Sequence, residues 1–437
     1  MKKIMTLLLI LVLCFSITGC GDKTEDKSTS KVDEVTKKTD NNNVDNKKTV
    51  ELNFWHLWTG SEAEALQAVV DDFNESQTDI HVTLLSTDIQ KQLAALSTGS
   101  GPDIAGNFYF NVASWAQKGA MMDLSELIER DKYDINDFVP STVKTVTLND
   151  RLYALPIAMH VNMLYYNKDM LEAAGYDKFP EKISEFKQMI NDLSVVEDGN
   201  IKQLGYMPSA DPGIFNIASM YGAKFVSDDG KEILEDEALI NAYKFEKEFT
   251  DNYSYESIAK YGSSFGKYMS PDNPFFTGNV AVKFDGEWLV SIIDEFAKDL
   301  NYSIAPLPYP DDKPELKNAG YASPSIMYIP QSTKHPEEAW TFLKYLVSEE
   351  AMVKFTAKIG NLPARKSCMD NKAYDHINGF KVFLDYAQGD NICSIAPMNP
   401  EAEYVSELIA QYDMIMNNKI SAEEAIEKIK KKLDPKM

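Results

Sequence analysis

The sequence predicts an α/β protein built from two lobes. Segments with the alternating apolar pattern of strands are followed along most of the chain by segments with helical spacing, which is typical of α/β folds. About 390 residues follow a polar N-terminal stretch, and one hydrophobic core rarely grows that large. In the apolar, strand-like segment Leu152–Met170, the polar residues His160 and Asn162 interrupt the pattern. We expect such an interruption where a chain crosses between lobes, although a buried strand with one hydrogen-bonded histidine has the same pattern.

The N-terminus has the pattern of an export signal. Lys2 and Lys3 precede an apolar run from Ile4 to about Ile17, which is too short for a membrane span and typical of a signal peptide. The run ends at Cys20 after two small residues, which resembles the lipobox of bacterial lipoproteins. We therefore expect a signal peptide at 1–19 and a lipidated, disordered tether at 20–48, because this polar stretch cannot bury a core. Ordinary secretion with an incidental cysteine is the alternative.

Charge and cysteine usage narrow the function classes. The formal net charge is −23, which repels phosphate backbones, so we expect no nucleic-acid partner. Cys368 and Cys393 remain after processing, and the sequence leaves open whether they form a disulfide. The five His are scattered without the spacing of zinc ligands, so no metal site and no cofactor is predicted.

The first elements predict a βαβ unit. Val50–Trp55 and His81–Leu85 alternate as strands, and a helix is predicted to start at Ser61 with Glu64 in a capping box. The loop after the first strand lies where open α/β sheets bind ligands. This loop supplies three candidate binding residues, which are His56, Trp58 and Thr59.

Further elements follow in the same alternation. A helix near Ile89–Ser97 precedes a loop with the candidate residues Asn107, Phe108, Tyr109 and Asn111. Asn167 is predicted to cap a short helix after the Leu152–Met170 segment. The remaining clear helices are predicted at Glu181–Leu193, at Pro336–Val347 with proline in the first turn, and at the C-terminus after a Ser421–Glu424 capping box.

Three patterns that suggest enzymes lack their required context. Gly262–Gly266 matches G-x-S-x-G, but Pro271 and Pro274 indicate a following loop instead of the helix that a nucleophile elbow needs. The same stretch is one residue too short for a phosphate-binding loop. Asp285 and Glu287 are spaced to share one face of a strand, yet nothing nearby in the sequence would raise a carboxylate pKa for a glycosidase. We therefore expect no enzymatic activity.

Aromatic residues beside polar ones suggest a ligand pocket. Sugars present apolar C–H faces to aromatic rings and hydroxyls that need hydrogen-bond partners. Each such aromatic residue, taken alone, is more often part of a core than of a site. The residues that carry this pattern are Trp55, Trp58, Phe108, Tyr109, Trp288, Tyr321 and Tyr404.

Several segments, in order, resemble the bacterial extracellular solute-binding proteins of family 1, the sugar-binding subunits of ABC importers. The resemblance samples most of the chain after the tether, and its strength lies in the ordered set. The segments are FWHLWTGSEAEAL from Phe54, GSGPDI from Gly99, LYALPIAMHVNMLYYNKDMLEAAGY from Leu152, FFTGNVAVKFDGEW from Phe275, SIMYIPQSTKHPEEAWTFLKYLVSEEA from Ser325 and GNLPARK from Gly360.

The resemblance implies a periplasmic-binding-protein fold of the type II-like class, in which two α/β lobes close on a ligand. It places chain crossings near Ala158–His160, Ala319–Ser323 and Asn361–Arg365. Lobe 1 would then comprise 49–158 and 322–361, and lobe 2 would comprise 159–321 and 362–437.

The resemblance also implies a binding site between the lobes, with Trp288 as a platform under a sugar ring. Trp58 and His160 stand where maltose-binding relatives have charged groups, which disfavours maltodextrin as the ligand. Asp103 is expected to hold its loop. The implied site residues are His56, Trp58, Thr59, Asn107, Phe108, Tyr109, Asn111, His160, Ser209, Asp211, Glu287, Trp288 and Tyr404.

The implied function is that of a lipid-anchored, monomeric receptor on the extracytoplasmic face of the cell membrane. It would present a mono- or oligosaccharide to the transmembrane subunits of an ABC permease. Three alternatives stay open: a binding protein for a non-sugar solute such as a polyamine, glycerophosphodiester or peptide; a secreted carbohydrate-active enzyme; and a sensory receptor that signals to a membrane kinase. The absence of Lys and Arg from the proposed loops disfavours the anionic solutes.

Overall fold

The computed structural model describes residues 48–437 except 211 and 212. The predicted signal peptide, Cys20, nearly all of the tether and Asp211 therefore lie outside the described residues. The strands are β1 Val50–His56, β2 Ile80–Ser86, β3 Ile104–Phe108, β4 Thr147–Leu148, β5 Arg151–Leu152, β6 Leu155–Asn167, β7 Val195–Glu197, β8 Asn200–Tyr206, β9 Val280–Gly286, β10 Tyr302–Ala305, β11 Gly320–Tyr328, β12 Leu362–Pro363 and β13 Ile392–Cys393.

Helices alternate with these strands, as the α/β prediction requires. A 3₁₀ turn at Tyr109–Asn111 follows β3. The helices are α1 Gly60–Ser76, α2 Ile89–Thr98, α3 Val112–Gln117, α4 Ser125–Asp131, α5 Pro140–Lys144, α6 Lys168–Ala173, α7 Ile183–Asp192, α8 Gly213–Met220, α9 Glu237–Tyr253, α10 Tyr255–Gly262, α11 Leu289–Phe296, α12 Pro336–Leu346, α13 Glu349–Ile359, α14 Phe380–Ala387, α15 Glu401–Met416 and α16 Ala422–Leu433.

The described strands form one mixed sheet and a separate β4–β5 pair. The main path of the sheet runs β2-β1-β3-β11-β6-β9-β8-β7, with β10, β12 and β13 attached beside it. Strand β1 is parallel to β2 and β3, and β8 is parallel to β9. The long strands β11 and β6 are antiparallel to each other and join these two parallel regions.

Strand β6 changes its partner in the middle. Residues 155–161 pair with β11, and residues 162–166 pair with β9. His160 stands opposite Ser323 in this register, beside the change of partner. The strand is continuous across the polar interruption that the sequence contains, and it lies close to the predicted first crossing. The lobe boundaries stay a prediction.

Local start signals were predicted well, with one exception. Asn167 caps α6 by accepting a hydrogen bond from the Met170 backbone N–H at 3.1 Å, and the Ser421–Glu424 capping box is present at α16. The Ser61–Glu64 capping box is wrong. Helix α1 begins at Gly60, and the N-cap is Thr59, whose side chain makes no capping hydrogen bond. Gly60 has a φ of +56°, so the chain turns into the helix before Ser61 can occupy the capping position.

Two further expectations concern single residues. Asp103 holds its loop, as predicted, because its carboxylate accepts from the Asn53 backbone N–H at 3.0 Å and from the Thr333 hydroxyl at 2.7 Å. Cys368 and Cys393 are both free thiols, so the disulfide that the sequence left open is not formed. Burial raises the pKa of the Cys368 thiol to about 11 and keeps it protonated at neutral pH.

One buried carboxyl links three elements of the part that follows β6. Glu246 on α9 is completely buried. It accepts hydrogen bonds from Tyr206 on β8 at 2.7 Å and from Tyr412 on α15 at 2.9 Å. Burial raises the pKa of Glu246 to about 7, and the two tyrosine hydroxyls only partly offset that rise.

This raised pKa predicts that stability falls as pH rises from 5 to 8. The folded state holds the Glu246 proton more tightly than the unfolded chain, so this contribution to stability is complete below about pH 4.5 and is lost as pH rises through 7. In Glu246→Gln, we expect the fall in unfolding free energy across that range to be smaller by about 3 kcal/mol, measured by urea denaturation at both pH values. The exposed Glu235→Gln should behave as wild type, and equal pH dependence in Glu246→Gln and wild type would contradict the assignment.

Candidate functional site

A hydrogen-bonded chain of three side chains lies where β6 changes partner. The Nδ1 atom of His160 lies 2.8 Å from Oε1 of Glu287, and its Nε2 lies 3.1 Å from Oγ of Ser325. Glu287 has a completely buried side chain and also faces the Val161 backbone N–H at 3.4 Å. A carboxylate only accepts, so Nδ1–H donates to Glu287, and a neutral ring accepts from the Ser325 hydroxyl through Nε2. The chain ties β6, β11 and the end of β9 together.

The order Ser325–His160–Glu287 is that of a hydrolase triad, but its setting is different. Ser325 lies inside β11 and is 1% exposed, so no substrate carbonyl can reach its hydroxyl in this conformation. The His160 side chain is 16% exposed, and it is the member of the chain that a ligand can touch. The arrangement positions the imidazole for binding and does not present a nucleophile.

Trp288 is held in place on several sides. Its ring lies over Gly286 so closely that a Cβ on Gly286 would overlap it. Its Nε1–H donates to the Tyr268 hydroxyl at 2.8 Å, and the His160 ring meets it edge-on with centroids 5.8 Å apart. The ring stays half-buried, so part of its surface is available to a ligand. Glycine is required at 286 by this close approach.

Asp285 and Lys283 extend this arrangement. The Tyr268 hydroxyl donates to Asp285 Oδ1 at 2.7 Å, and Lys283 Nζ lies 2.7 Å from Asp285 Oδ2 and 4.7 Å from the Tyr268 ring centre. Burial raises the pKa of Tyr268, and the charge of Asp285 raises it further. The hydroxyl therefore stays protonated and fixes the indole of Trp288.

The loop between β1 and α1 places its aromatic residue against β3. Trp58 is 5% exposed, stacks on His56 with centroids 6.1 Å apart, and lies over Gly106. His56 is also buried, its Nδ1 has no hydrogen-bond partner within the described residues, and burial lowers its pKa. A neutral imidazole with one unpaired nitrogen can serve a ligand hydroxyl once the loop opens. Thr59 is exposed at the start of α1.

The loop after β3 is mostly occupied by contacts within the protein. The Asn107 amide donates to Gln92 at 3.1 Å, and the Tyr109 hydroxyl is hydrogen-bonded to that of Tyr321 on β11. Phe108 is 37% exposed. The side-chain nitrogen of Asn111 is buried without a partner in the described part of the chain, which is the condition of a donor that a ligand can satisfy.

The remaining predicted residues separate into two environments. Ser209 follows β8 and lines the same cavity as Trp288. Tyr404 on α15 is completely buried, and its hydroxyl has no partner among the described groups. Burial on this scale agrees with the core alternative for a lone aromatic residue. Asp211 is outside the described residues.

Three residues beside the predicted ones were missed. Tyr268, Ser325 and Lys283 fix Trp288 and His160. Tyr268 carries the signal used for Trp288, an aromatic residue in a loop beside glycine. Ser325 carries no such signal, because a serine in an apolar strand is expected to satisfy itself within the sheet.

Charge near His160 comes from the first turn of α1. Burial raises the pKa of Glu62, and the nearby His160 partly offsets this rise. No group of three or more His, Cys, Asp or Glu within residues 48–437, leaving out 211 and 212, is arranged to hold a metal ion. Over the same residues, no helix is long and apolar enough to cross a bilayer.

Relatives of this chain are binding proteins. A putative binding protein of Brucella abortus strain 2308 is 25% identical over 280 residues, which cover 64% of this chain and 66% of that protein, slightly less than two thirds of its length. A maltotriose-binding protein of Pyrococcus abyssi is 21% identical over 353 residues, covering 79% of this chain and 73% of the relative. The solved structure of CpMnBP1 with mannotriose bound superposes with a TM-score of 0.75 at 21% identity, covering 88% of this chain and 99% of that chain.

The family model places the chain more firmly than any single relative. Residues 59–353 match the model for bacterial extracellular solute-binding proteins, and this range is more than half of the chain. The fold agrees with the two-lobed α/β architecture of such proteins. The family consists of extracytoplasmic binding proteins and not of enzymes. This chain belongs to the bacterial extracellular solute-binding protein family.

Proposed function

We propose that this protein is the substrate-binding subunit of an ABC importer, and that it binds a mono- or oligosaccharide between its two lobes and delivers it to the transmembrane permease subunits. The observation that carries the proposal is the setting of Trp288. A half-buried indole is fixed by Gly286 and Tyr268 and stands beside His160, the partly exposed polar residue of the strand shared by both lobes. An aromatic face next to a hydrogen-bonding side chain suits a sugar ring.

The relatives support a sugar ligand without identifying it. Those reported above bind maltotriose in one case and mannotriose in another. Closure is then a hinge motion about β6 and β11, and the ligand stabilises the closed form only through contacts that it makes to both lobes. Trp288 and Ser209 would contact it from lobe 2, His160 from the crossing, and the β1 and β3 loops from lobe 1.

Replacement of Trp288 tests this proposal. Trp288→Ala should weaken binding of the cognate sugar roughly tenfold or more, because one aromatic stacking surface is lost, whereas Trp288→Phe keeps part of it. The ligand is found first by a thermal-shift screen of mono- and oligosaccharides, and affinities are then measured by calorimetry. Wild-type affinity in a folded Trp288→Ala protein would reject Trp288 as the platform, and a screen with no carbohydrate ligand would reject the function.

The support of Trp288 by Gly286 is tested separately by stability. Gly286→Ala should destabilise the protein by about 1–3 kcal/mol, because the added methyl overlaps the indole. In a Trp288→Ala background the same change should have almost no effect, since the overlapping group is gone. Equal effects in both backgrounds, measured by urea denaturation, would show that the indole does not depend on this glycine.

Membrane attachment through Cys20 is a further part of the proposal. The apolar run that ends at Cys20 supports lipidation of its sulfur after cleavage. Cys20→Ser should move the protein from the membrane fraction to the soluble or culture fraction, measured by immunoblotting after fractionation. Cys368→Ser is the control and should leave the distribution unchanged. Retention of Cys20→Ser in the membrane would contradict a lipid anchor at this residue.

A further inference from the structure

A large cavity lies beside Trp288 on the side away from the β1 and β3 loops. Its volume is about 480 Å³, and its described lining residues all come from 206–288. It opens at the carboxyl end of β8, and the loop after α10 forms one wall. Trp288 and Ser209, two residues of the proposed sugar site, also line it. The cavity, called here the Phe265 pocket, is therefore continuous with the proposed sugar site.

The walls of the Phe265 pocket are mainly apolar. Side chains from three segments contribute, and these include Met207, Phe265, Pro274, Phe275 and Phe284. Such a lining favours an occupant with apolar surface, at about 25 cal/mol for each Å² removed from water.

The charged and hydroxyl groups of the pocket are engaged with one another. Asp285 receives hydrogen bonds from the Tyr268 hydroxyl and the Gly286 backbone N–H and pairs with Lys283. Tyr268 in turn accepts from Trp288. These bonds fix the rim of the pocket and use most of the polar capacity that a sugar would need.

The polar groups deeper in the pocket are engaged as well. The Asn273 amide donates to the Tyr268 carbonyl at 2.8 Å and accepts from the Phe275 N–H at 3.0 Å. The Tyr206 hydroxyl donates to Glu246 at 2.7 Å. A second sugar ring placed here would exchange water for few partners, and each unpaired hydroxyl would cost about 1–3 kcal/mol.

We propose that the Phe265 pocket receives an aryl substituent carried by the sugar, while the sugar itself lies against Trp288 and His160. This inference rests on the proposed function and specifies its ligand as a carbohydrate that carries a phenolic or similar aromatic group. Size supports an aryl group, since an apolar cavity of about 150 Å³ already holds benzene. The rings of Phe265, Phe284 and Trp288 offer it offset and edge contacts.

Matched pairs of ligands test the substituent. Methyl and 4-nitrophenyl glycosides of glucose, mannose, xylose and arabinose are compared by calorimetry, together with an O-acetylated form of any sugar that binds. The 4-nitrophenyl glycoside should bind at least about tenfold more tightly than its methyl partner, and the acetyl group should give a clearly smaller gain. Equal affinities of the aryl and methyl forms, or an acetyl gain as large as the aryl gain, would overturn the inference while the sugar-binding proposal stands. If none of these glycosides and no free sugar binds, the proposed function itself fails.

A filled pocket provides the second arm. Gly262 lines the pocket, it does not adopt a left-handed conformation, and a Cβ there would meet Met207 at an ordinary 3.8 Å. Gly262→Leu should therefore fill the space without backbone strain, and the affinity ratio of aryl to methyl glycoside should fall towards one. Ser264→Leu adds the same side chain at an exposed position of the same loop outside the lining and should keep the wild-type ratio. A wild-type ratio in Gly262→Leu would show that the aryl group lies elsewhere.

Discussion

The hydrogen bond between His160 and Glu287 determines how the two regions of the sheet meet. Glu287 follows β9, His160 lies on β6, and the Glu287 side chain has no exposed surface. A buried carboxylate without a partner would be strongly unfavourable, so any arrangement of these strands that separates the two groups is disfavoured. The contact lies at the point where β6 exchanges β11 for β9. The proposed site, the hinge and the setting of Trp288 are all built around it.

Glycine lets two indoles approach the backbone. Trp58 lies over Gly106, and Trp288 lies over Gly286. Both tryptophans come directly after strands of the parallel regions, and both lie on a strand residue that has no side chain. The rings are thereby fixed before any ligand arrives, and less conformational entropy is lost on binding. Trp58 is buried and Trp288 half-buried, so the second region presents the more accessible aromatic surface.

The sequence was informative where local chemistry decides the structure. Asn167 and Ser421 cap helices as predicted because the capping hydrogen bond involves only residues three positions apart. The Ser61–Glu64 capping box failed because Gly60 moved the helix start by one residue. The continuous strand through His160 could be predicted from its apolar pattern, and its fold class followed.

Contacts between distant segments could not be read in this way. Ser325 reaches His160 only through the register of β11 against β6, and nothing in a serine within an apolar strand indicates that partner. Tyr404 was placed in the site because polar residues surround it in the sequence, yet in the fold it points into the core. Its environment is set by the packing of α15, to which residues far away in the chain contribute.

Both remaining cysteines are thiols that sit in different elements, Cys368 buried and Cys393 partly so. The domain of residues 48–437 is therefore held by packing and hydrogen bonds alone within its described part, without a covalent cross-link between these two positions. Its maturation requires no dithiol oxidase and no molecular oxygen. A protein built in this way would reach the same folded state in an anoxic sediment or gut as in an aerated culture, and reductants secreted by neighbouring cells would leave it intact.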